Sequence, residues 1–420
     1  MTTEITDATF LTAGLPGIGG FLREKPEDFR VDELLARKPS GQGDYAWALI
    51  QKYGISTPEL QRRLGSALAI HSEQIGVAGM KDKDAFTRQW ISAPWADEPK
   101  LAAAKIKDVE ILQVERDDSP LWPGAHGGNR FDIHVRGVGD EKAELAKAQA
   151  IVSELTRRGV PNFFGAQRFG IRREMAEMGR RLLLGDAEGA LALLLGAPSA
   201  LEGDLRARQF RKAYEEGRFS EALASVPGRL SGERRLLELL AARRPKRWVA
   251  NHIALPTRRF ALSAWQSLQF NRVVARRLQQ IDIAQVGDWL LPEPTTTDAT
   301  HDSGAKPRQC SDAALDQPAV TALALHPTAP LFGDTVELAA GEPGTIEQAV
   351  FAESKIAREK LRRPVGLALY GERRPARFIA RDFTVTAPDT GTLRFQFTLP
   401  PGSFATTLLA EVMKDAQPVV

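Results

Sequence analysis

Gly79-Met80-Lys81-Asp82-Lys83-Asp84-Ala85-Phe86-Thr87-Arg88-Gln89-Trp90 is the stretch on which the reading of the fold turns. Gln74 to Gly79 reads as a strand and Arg88 to Ser92 as the next one, so an acid between two lysines falls in the turn that joins them. Flanking positive charge keeps a carboxylate ionised near neutral pH. An ionised carboxylate at a strand end is suited to act as nucleophile or base. A solvated, charge-rich turn has the same local composition, so the string alone does not decide between chemistry and solubility.

Upstream, Phe29 to Leu34 and Ala46 to Gln51 alternate like strands. Ser56-Thr57-Pro58-Glu59 has the spacing of a capping box, with proline in the first helical turn. Leu60, Leu64 and Leu68 then form one apolar stripe. Downstream, Asn129 to Arg136 alternates again, and Lys142 to Arg158 predicts a helix. From about Val160 to Arg362 helical patterns dominate: Arg180 to Leu195, Leu205 to Tyr214, Gly232 to Arg243 and Phe260 to Gln280. Pro292 to Pro318, rich in Thr, Asp, Pro and Ser, reads as a long surface loop. Strand character returns at Phe378 to Val385 and Leu393 to Leu399, and a closing helix at Phe404 to about Met413. The two ends read alike and the middle differs. This predicts one domain of strands and helices built from both ends of the chain, interrupted by a mostly helical insertion. At 420 residues the chain exceeds the roughly 250–300 residues over which one core grows, which also favours two domains.

With 43% hydrophobic and 26% charged residues the composition is that of a globular protein. No apolar run approaches the roughly 18 residues of a membrane helix. The first 20 residues carry Glu4 and Asp7 but no Lys or Arg, unlike a secretory signal. The single cysteine, Cys310, makes no internal disulfide. A cytoplasmic location and no membrane association are expected. The net charge of +3 is unevenly spread. Leu230 to Gln280 holds eleven Lys or Arg against Glu233 and Glu238, while Val286 to Glu342 holds nine acids against Lys306 and Arg308. A basic face offered to a polyanion fits this asymmetry, as do solvated helix faces.

The six histidines, at 71, 126, 134, 252, 301 and 326, include no i,i+4 pair, and CxxC is absent, so no metal is expected. Gly17-Ile18-Gly19-Gly20 lacks the lysine and the spacing of a phosphate loop and reads as a turn. No GxSxG supports serine hydrolysis. Two further segments stand out. Val160-Pro161-Asn162-Phe163-Phe164-Gly165-Ala166-Gln167-Arg168-Phe169-Gly170 sets three phenylalanines and an arginine among glycine turns. That mixture suits base stacking and phosphate contact, and equally a buried aromatic junction with Arg168 turned toward charge. Leu399-Pro400-Pro401-Gly402-Ser403-Phe404-Ala405-Thr406-Thr407 reads as strand, turn and a helix capped near Ser403.

Together these segments resemble the TruD family of RNA pseudouridine synthases. GMKDKDAFTRQW is similar to that family's G-x-K-D-K-x-A-x-T-x-Q-W, PNFFGAQRFG to its PNYFGxQRFG, and LPPGSFAT to its LPxGSFAT. Lys25-Pro26-Glu27-Asp28-Phe29 with Gly41-Gln42-Gly43-Asp44 resembles its N-terminal PEDF and GEG region. The four motifs stand in order between residues 23 and 407. Phe163 replaces the usual Tyr, and Arg23 stands where Lys is common. The resemblance implies an α+β fold, a catalytic domain with a mixed, mainly antiparallel sheet over 1–159 and 366–420. A mostly helical α/β insertion, the TRUD domain, is implied over 160–365. It implies isomerisation of uridine-13 in transfer RNA, without cofactor or metal, by a chain expected to be monomeric. Asp82 matches the nucleophile, whereas Asp84 falls on a variable position. Arg23, Phe29, Lys81, Asn129, Phe131 and Phe404 fall on positions that line the family's active site, and Arg168 lies in its aromatic–arginine motif. A non-catalytic RNA-binding or chaperone protein on the same scaffold is the alternative. The intact Asp82 in its lysine frame speaks against it.

Overall fold

The computed structural model describes residues 10–95, 98–293 and 306–414. The chain begins with β1 (Phe21–Leu22), β2 (Phe29–Leu35) and β3 (Tyr45–Lys52), then folds α1 (Thr57–Leu68). It continues through β4 (Gly76–Val77), β5 (Phe86–Pro94), α2 (Glu98–Ala103), β6 (Val109–Asp117), β7 (His126–Arg136) and α3 (Glu141–Arg158). After β8 (Val160–Pro161) come seven helices: α4 (Met175–Leu184), α5 (Ala187–Leu195), α6 (Leu205–Glu215), α7 (Phe219–Ser225), α8 (Ser231–Ala241), α9 (Lys246–Ala250) and α10 (Leu255–Arg276). Then follow β9 (Trp289–Pro292), β10 (Arg308–Gln309), α11 (Ala313–Thr321), β11 (Leu325–Leu331), α12 (Gly341–Glu353) and β12 (Glu372–Pro375). The chain closes with β13 (Arg377–Phe378), β14 (Arg381–Asp389), β15 (Thr392–Leu399) and α13 (Ala405–Met413).

Both ends of the chain build one nine-stranded sheet in the order β14-β15-β7-β2-β5-β3-β6, with β1 also on β7 and β4 on β5. Among the described residues its one parallel pairing is β2 with β5. The sheet is therefore mixed and mainly antiparallel, as the resemblance implies. Alternation assigns its faces. Phe29, Val31 and Glu33 of β2, Ala46, Ala48, Ile50 and Lys52 of β3, and Phe131, Ile133 and Val135 of β7 are all buried. Two of these inward positions, Glu33 and Lys52, carry charge.

The insertion leaves and returns through a two-stranded ribbon in which Val160 pairs with Phe378 and Pro161 with Arg377. Arg377 is buried there and donates to the carbonyls of Arg158 (2.7 Å), Val320 (2.5 Å) and Leu325 (3.1 Å). The insertion has its own sheet, β10-β9-β11-β12, whose last strand lies beyond residue 365. A single hydrophobic cluster runs from the large sheet into the insertion helices, through Phe163, Phe164 and Phe169. Each ring buried this way contributes roughly 1.5–3 kcal/mol. The PNFFGAQRFG segment thus joins the two parts.

Several local expectations are corrected. Gln74 to Gly79 is mostly turn, with only Gly76–Val77 as strand. Arg180 to Leu195 is two helices: Gly185 turns left-handed (φ 82°) and Asp186 caps α5 by accepting from Gly189 N at 2.8 Å. Ser56 caps α1 through Glu59 N (3.3 Å), but the Glu59 carboxylate pairs with Arg62 and Arg63 instead of closing the box. Of the expected loop Pro292 to Pro318, residues 294–305 lie outside the described residues, and the remainder holds β10 and most of α11. Phe404, not Ser403, is the N-cap of α13, and its side chain makes no capping bond. Strand β6 went unread because its charged, half-exposed sequence VEILQVERD hides its periodicity.

Candidate active site

The turn carrying Asp82 is held from below. Lys81 N donates to Thr57 Oγ1 at 2.9 Å, and Gly54 N donates to the Lys83 carbonyl at 3.1 Å. The buried Lys52 ammonium, at the end of β3, donates to the carbonyls of Ile55 (2.8 Å) and Asp82 (3.1 Å). Burial pushes the Lys52 amine down to about 8, against the opposing pull of Asp82. At Gly79 a Cβ would come within 2.7 Å of Lys81 Nζ and 3.2 Å of Glu33 Oε2, so the motif's first glycine admits the ion pair behind it. Backbone fixing leaves the Asp82 carboxylate itself half-exposed, at 50%.

Among the described residues the cation that touches Asp82 is Arg23, whose Nη2 lies 2.9 Å from Oδ2. Arg23 is left-handed (φ 61°), a conformation uncommon outside glycine, and its guanidinium lies 4.4 Å from the Phe29 ring centroid. Phe29 meets Phe131 edge-on at 6.3 Å, and Phe131 stacks on Phe397 at 5.3 Å. A cavity of about 370 Å³ opens beside Asp82, lined by Phe29, Lys81, Asn129, Phe131, Gln167 and Phe404, with His126 at its wall. The structure thus gathers residues from all four of the sequence motifs and from β7 around one space. Asn129 presents a buried side-chain oxygen with no hydrogen-bond partner among the described residues. Such an acceptor is normally satisfied, so it is free to receive a donor from a bound molecule.

Lys81 is placed differently from the expectation that it frames Asp82. Its ammonium is committed to Glu33 in an ion pair whose side chains are only 5% and 0% exposed. Glu33 also accepts from Trp90 N at 3.1 Å. Burial raises the Glu33 carboxyl, and Lys81 works against that rise. Burial, with Lys81 nearby, lowers the His126 imidazole to about 4, so it is neutral at physiological pH. Sequence reading missed Glu33, Lys52 and His126. A signal existed for the first two, since each is a charge at an apolar parity of its strand.

Arg168 stands outside the cavity, donating to Ser267 Oγ (3.2 Å) and to Ser263 Oγ on α10 rather than facing a carboxylate. The basic stretch divides. Arg277 is buried on Asp288, and Arg276 pairs with Glu353 at 2.6 Å. Arg243, Arg244, Lys246 and Arg247 are exposed around α9, beside the half-exposed Trp248.

The model of the tRNA pseudouridine synthase D (TruD) family matches residues 6–412. A protein of Geobacter metallireducens named tRNA pseudouridine synthase D is 37% identical over 413 residues, covering 97% of this chain and 98% of its own length. The Geobacter sulfurreducens protein of the same name is 37% identical over 418 residues, with 99% and 98% coverage. The crystal structure of the Methanosarcina mazei protein assigned as tRNA pseudouridine synthase D superposes with a TM-score of 0.78 at 29% identity. That match covers 95% of this chain and 94% of the other.

Proposed function

The chain belongs to the tRNA pseudouridine synthase D (TruD) family, the enzymes that isomerise uridine to pseudouridine in transfer RNA, and from that premise we propose that it acts on uridine-13 with Asp82 as nucleophile. The observation that carries the reading is a half-exposed carboxylate, fixed through its backbone, at the rim of an aromatic-lined cavity. A uridine must leave its stack to reach such a group. Its base then lies among Phe29, Phe131 and Phe404, where the unpartnered Asn129 oxygen accepts from the base edge or a ribose hydroxyl. The N1–C1′ bond breaks, the uracil turns, and C5 bonds to C1′. The C5 proton is released and N1 gains one, so nothing is oxidised or lost. Asp82 serves this sequence by attack on either the ribose or the base. Arg23 must release the carboxylate first. For a pair exposed 34% and 50% that exchange costs roughly 0–1 kcal/mol, and the freed guanidinium stays beside the developing charge.

The test is a pseudouridine map of transfer RNA from cells with and without the protein. Loss of one pseudouridine, at position 13, is expected. An unchanged map would sink the enzyme reading and leave an RNA-binding or chaperone role.

Phe404 separates stacking from packing. Its ring lines the cavity and lies 6.2 Å from Phe164, half-buried and packed on the core's edge. Stacking on a base is worth roughly 1–3 kcal/mol, so Phe404→Ala should lower kcat/KM about ten- to a hundredfold. A fully buried ring would cost about 3–5 kcal/mol of stability on truncation, and a half-buried one costs less. Melting temperature measured beside activity decides. A variant that melts far lower, yet keeps normal specific activity in its folded fraction, removes the stacking role.

Arg243, Arg244, Lys246 and Arg247 are proposed as phosphate contacts. Neutralising all four should flatten the dependence of log affinity on log salt, by about 0.7–0.9 for each phosphate that they neutralise in the wild-type complex. An unchanged slope would show them to be a solvated surface only.

A further inference from the structure

Phe164 is the hub of a cationic spot next to the cavity. The Arg374 guanidinium lies 4.4 Å from its ring centroid and that of Arg168 5.6 Å, while the ring of Phe404, which lines the cavity, lies 6.2 Å away. Through that ring both guanidiniums adjoin the cavity wall, and Arg374 also touches Gly402, which lines the cavity. Neither makes a salt bridge among the described residues, whereas Arg158, Arg172, Arg211, Arg277 and Arg373, also partly or fully buried, each do. Their protein partners are neutral. Arg374 Nη2 donates to Asn162 Oδ1 (2.6 Å) and to the Gly402 carbonyl (2.9 Å), and Arg168 uses Nε and Nη2 on two serines. The Nη1 group of each donates to no protein acceptor among the described residues. Arg374 Nη1 faces the open Gly402 turn, 3.6 Å from where a Cβ would stand, and no other atom approaches that point within 4 Å. Gly165 is open in the same way, with only Thr406 Oγ1 nearby at 3.6 Å.

Two partly buried positive charges without a counter-ion are costly unless an anion completes them. The cost shows in both groups: burial lowers Arg168, and it lowers Arg374 to about 10, with Arg168 adding to the effect and the exposed Glu372 only partly opposing it. Guanidiniums recognise phosphate through paired N–H donors. A uridine drawn into the neighbouring cavity carries a phosphodiester on each side of its ribose, within one nucleotide of the rim that Gly402, Ser403 and Thr406 form.

We propose that Arg168 and Arg374 together form a subsite for the backbone phosphodiester flanking the extruded uridine. The proposal rests on the cavity being the uridine site. It gives the aromatic–arginine segment a second task beside joining the two parts of the fold, and gives Arg374, which no sequence pattern singled out, a direct hold on RNA.

The test uses the full chain and a transfer RNA substrate carrying a single neutral methylphosphonate, placed in turn at each linkage flanking the target uridine and at remote linkages. Equilibrium binding is measured for wild type and for Arg168→Gln. Hydrogen bonds to a charged group are strong enough that one flanking substitution should weaken wild-type binding roughly tenfold or more. Remote substitutions should do much less. Arg168→Gln should bind the unmodified RNA more weakly and show a clearly smaller penalty for the flanking methylphosphonate, since only Arg374 remains to hold that phosphate. The proposal is overturned if wild type tolerates both flanking substitutions, an outcome that needs no variant to fold. It is also overturned if Arg168→Gln weakens binding while leaving the methylphosphonate penalty intact, as a purely cementing role predicts. Because binding is the readout, failure here is distinct from failure of the uridine-site reading, which would appear as an unchanged pseudouridine map.

Discussion

Asp82→Asn should form no detectable pseudouridine while binding the same RNA within a few-fold of wild type. The substitution removes the nucleophilic oxygen and almost no surface. Its structural consequences are small because the turn is fixed by backbone groups: Thr57 Oγ1 holds Lys81 N, and Lys52 holds the Asp82 carbonyl, whatever side chain residue 82 carries. The ion pair with Arg23 that the substitution removes is exposed on both sides and is worth at most about 1 kcal/mol. An asparagine oxygen still accepts from Arg23, so the local arrangement persists. Product formation and binding measured on one RNA therefore separate chemistry from recognition. Appreciable turnover by the variant would remove Asp82 from the mechanism. A fall in affinity as large as the fall in rate would make it a binding residue instead.

The legible parts of this fold were those with local causes. The apolar stripe of Leu60, Leu64 and Leu68 and the alternation of Phe29 to Leu34 produced elements where they were expected. The break between α4 and α5 was legible in principle, since Gly185-Asp186 carries both a left-handed stop and a cap. The partners of the lysines were not legible. Asp82 is flanked by two lysines in sequence, yet its contact is Arg23, 59 residues away, because the sheet brings the start of β2 beside the turn before β5. Lys81 points to β2 instead, for the reverse reason: Glu33 occupies the inward parity of that strand and needs a counter-charge. Arg374 had no signal at all, since its role depends on β12 returning beside the 160s segment and the Gly402 turn.

Lys81→Met should destabilise the protein by about 3–5 kcal/mol, the usual cost of removing one partner from a buried ion pair. Glu33 is fully buried, and its own hydrogen bonds reduce to the one from Trp90 N once Lys81 is gone. Burial already raises the Glu33 carboxyl above the ordinary carboxylate value, and Lys81 opposes that rise. Without Lys81 the rise is larger. Between the ordinary value and the raised one, the folded variant holds a proton on Glu33 that the unfolded chain does not. Stability therefore falls as pH rises through that window and returns on acidification, so the deficit relative to wild type should shrink at lower pH. Denaturant melts of both proteins across pH would show this. A deficit that stays constant or grows on acidification would mean that Glu33 is not the group left stranded. The second variant, Glu33→Leu with Lys81→Met, distinguishes scaffold from chemistry. Replacing both charges with apolar groups of similar volume should recover most of the stability that Lys81→Met removes. If Lys81 serves only to neutralise Glu33, turnover returns with the fold. If Lys81, a residue that lines the cavity beside Asp82, also stabilises charge on the reacting uridine, the double variant folds like wild type and still turns over poorly. The second outcome is expected, because Lys81 is a residue of the cavity wall as well as a member of the ion pair behind it.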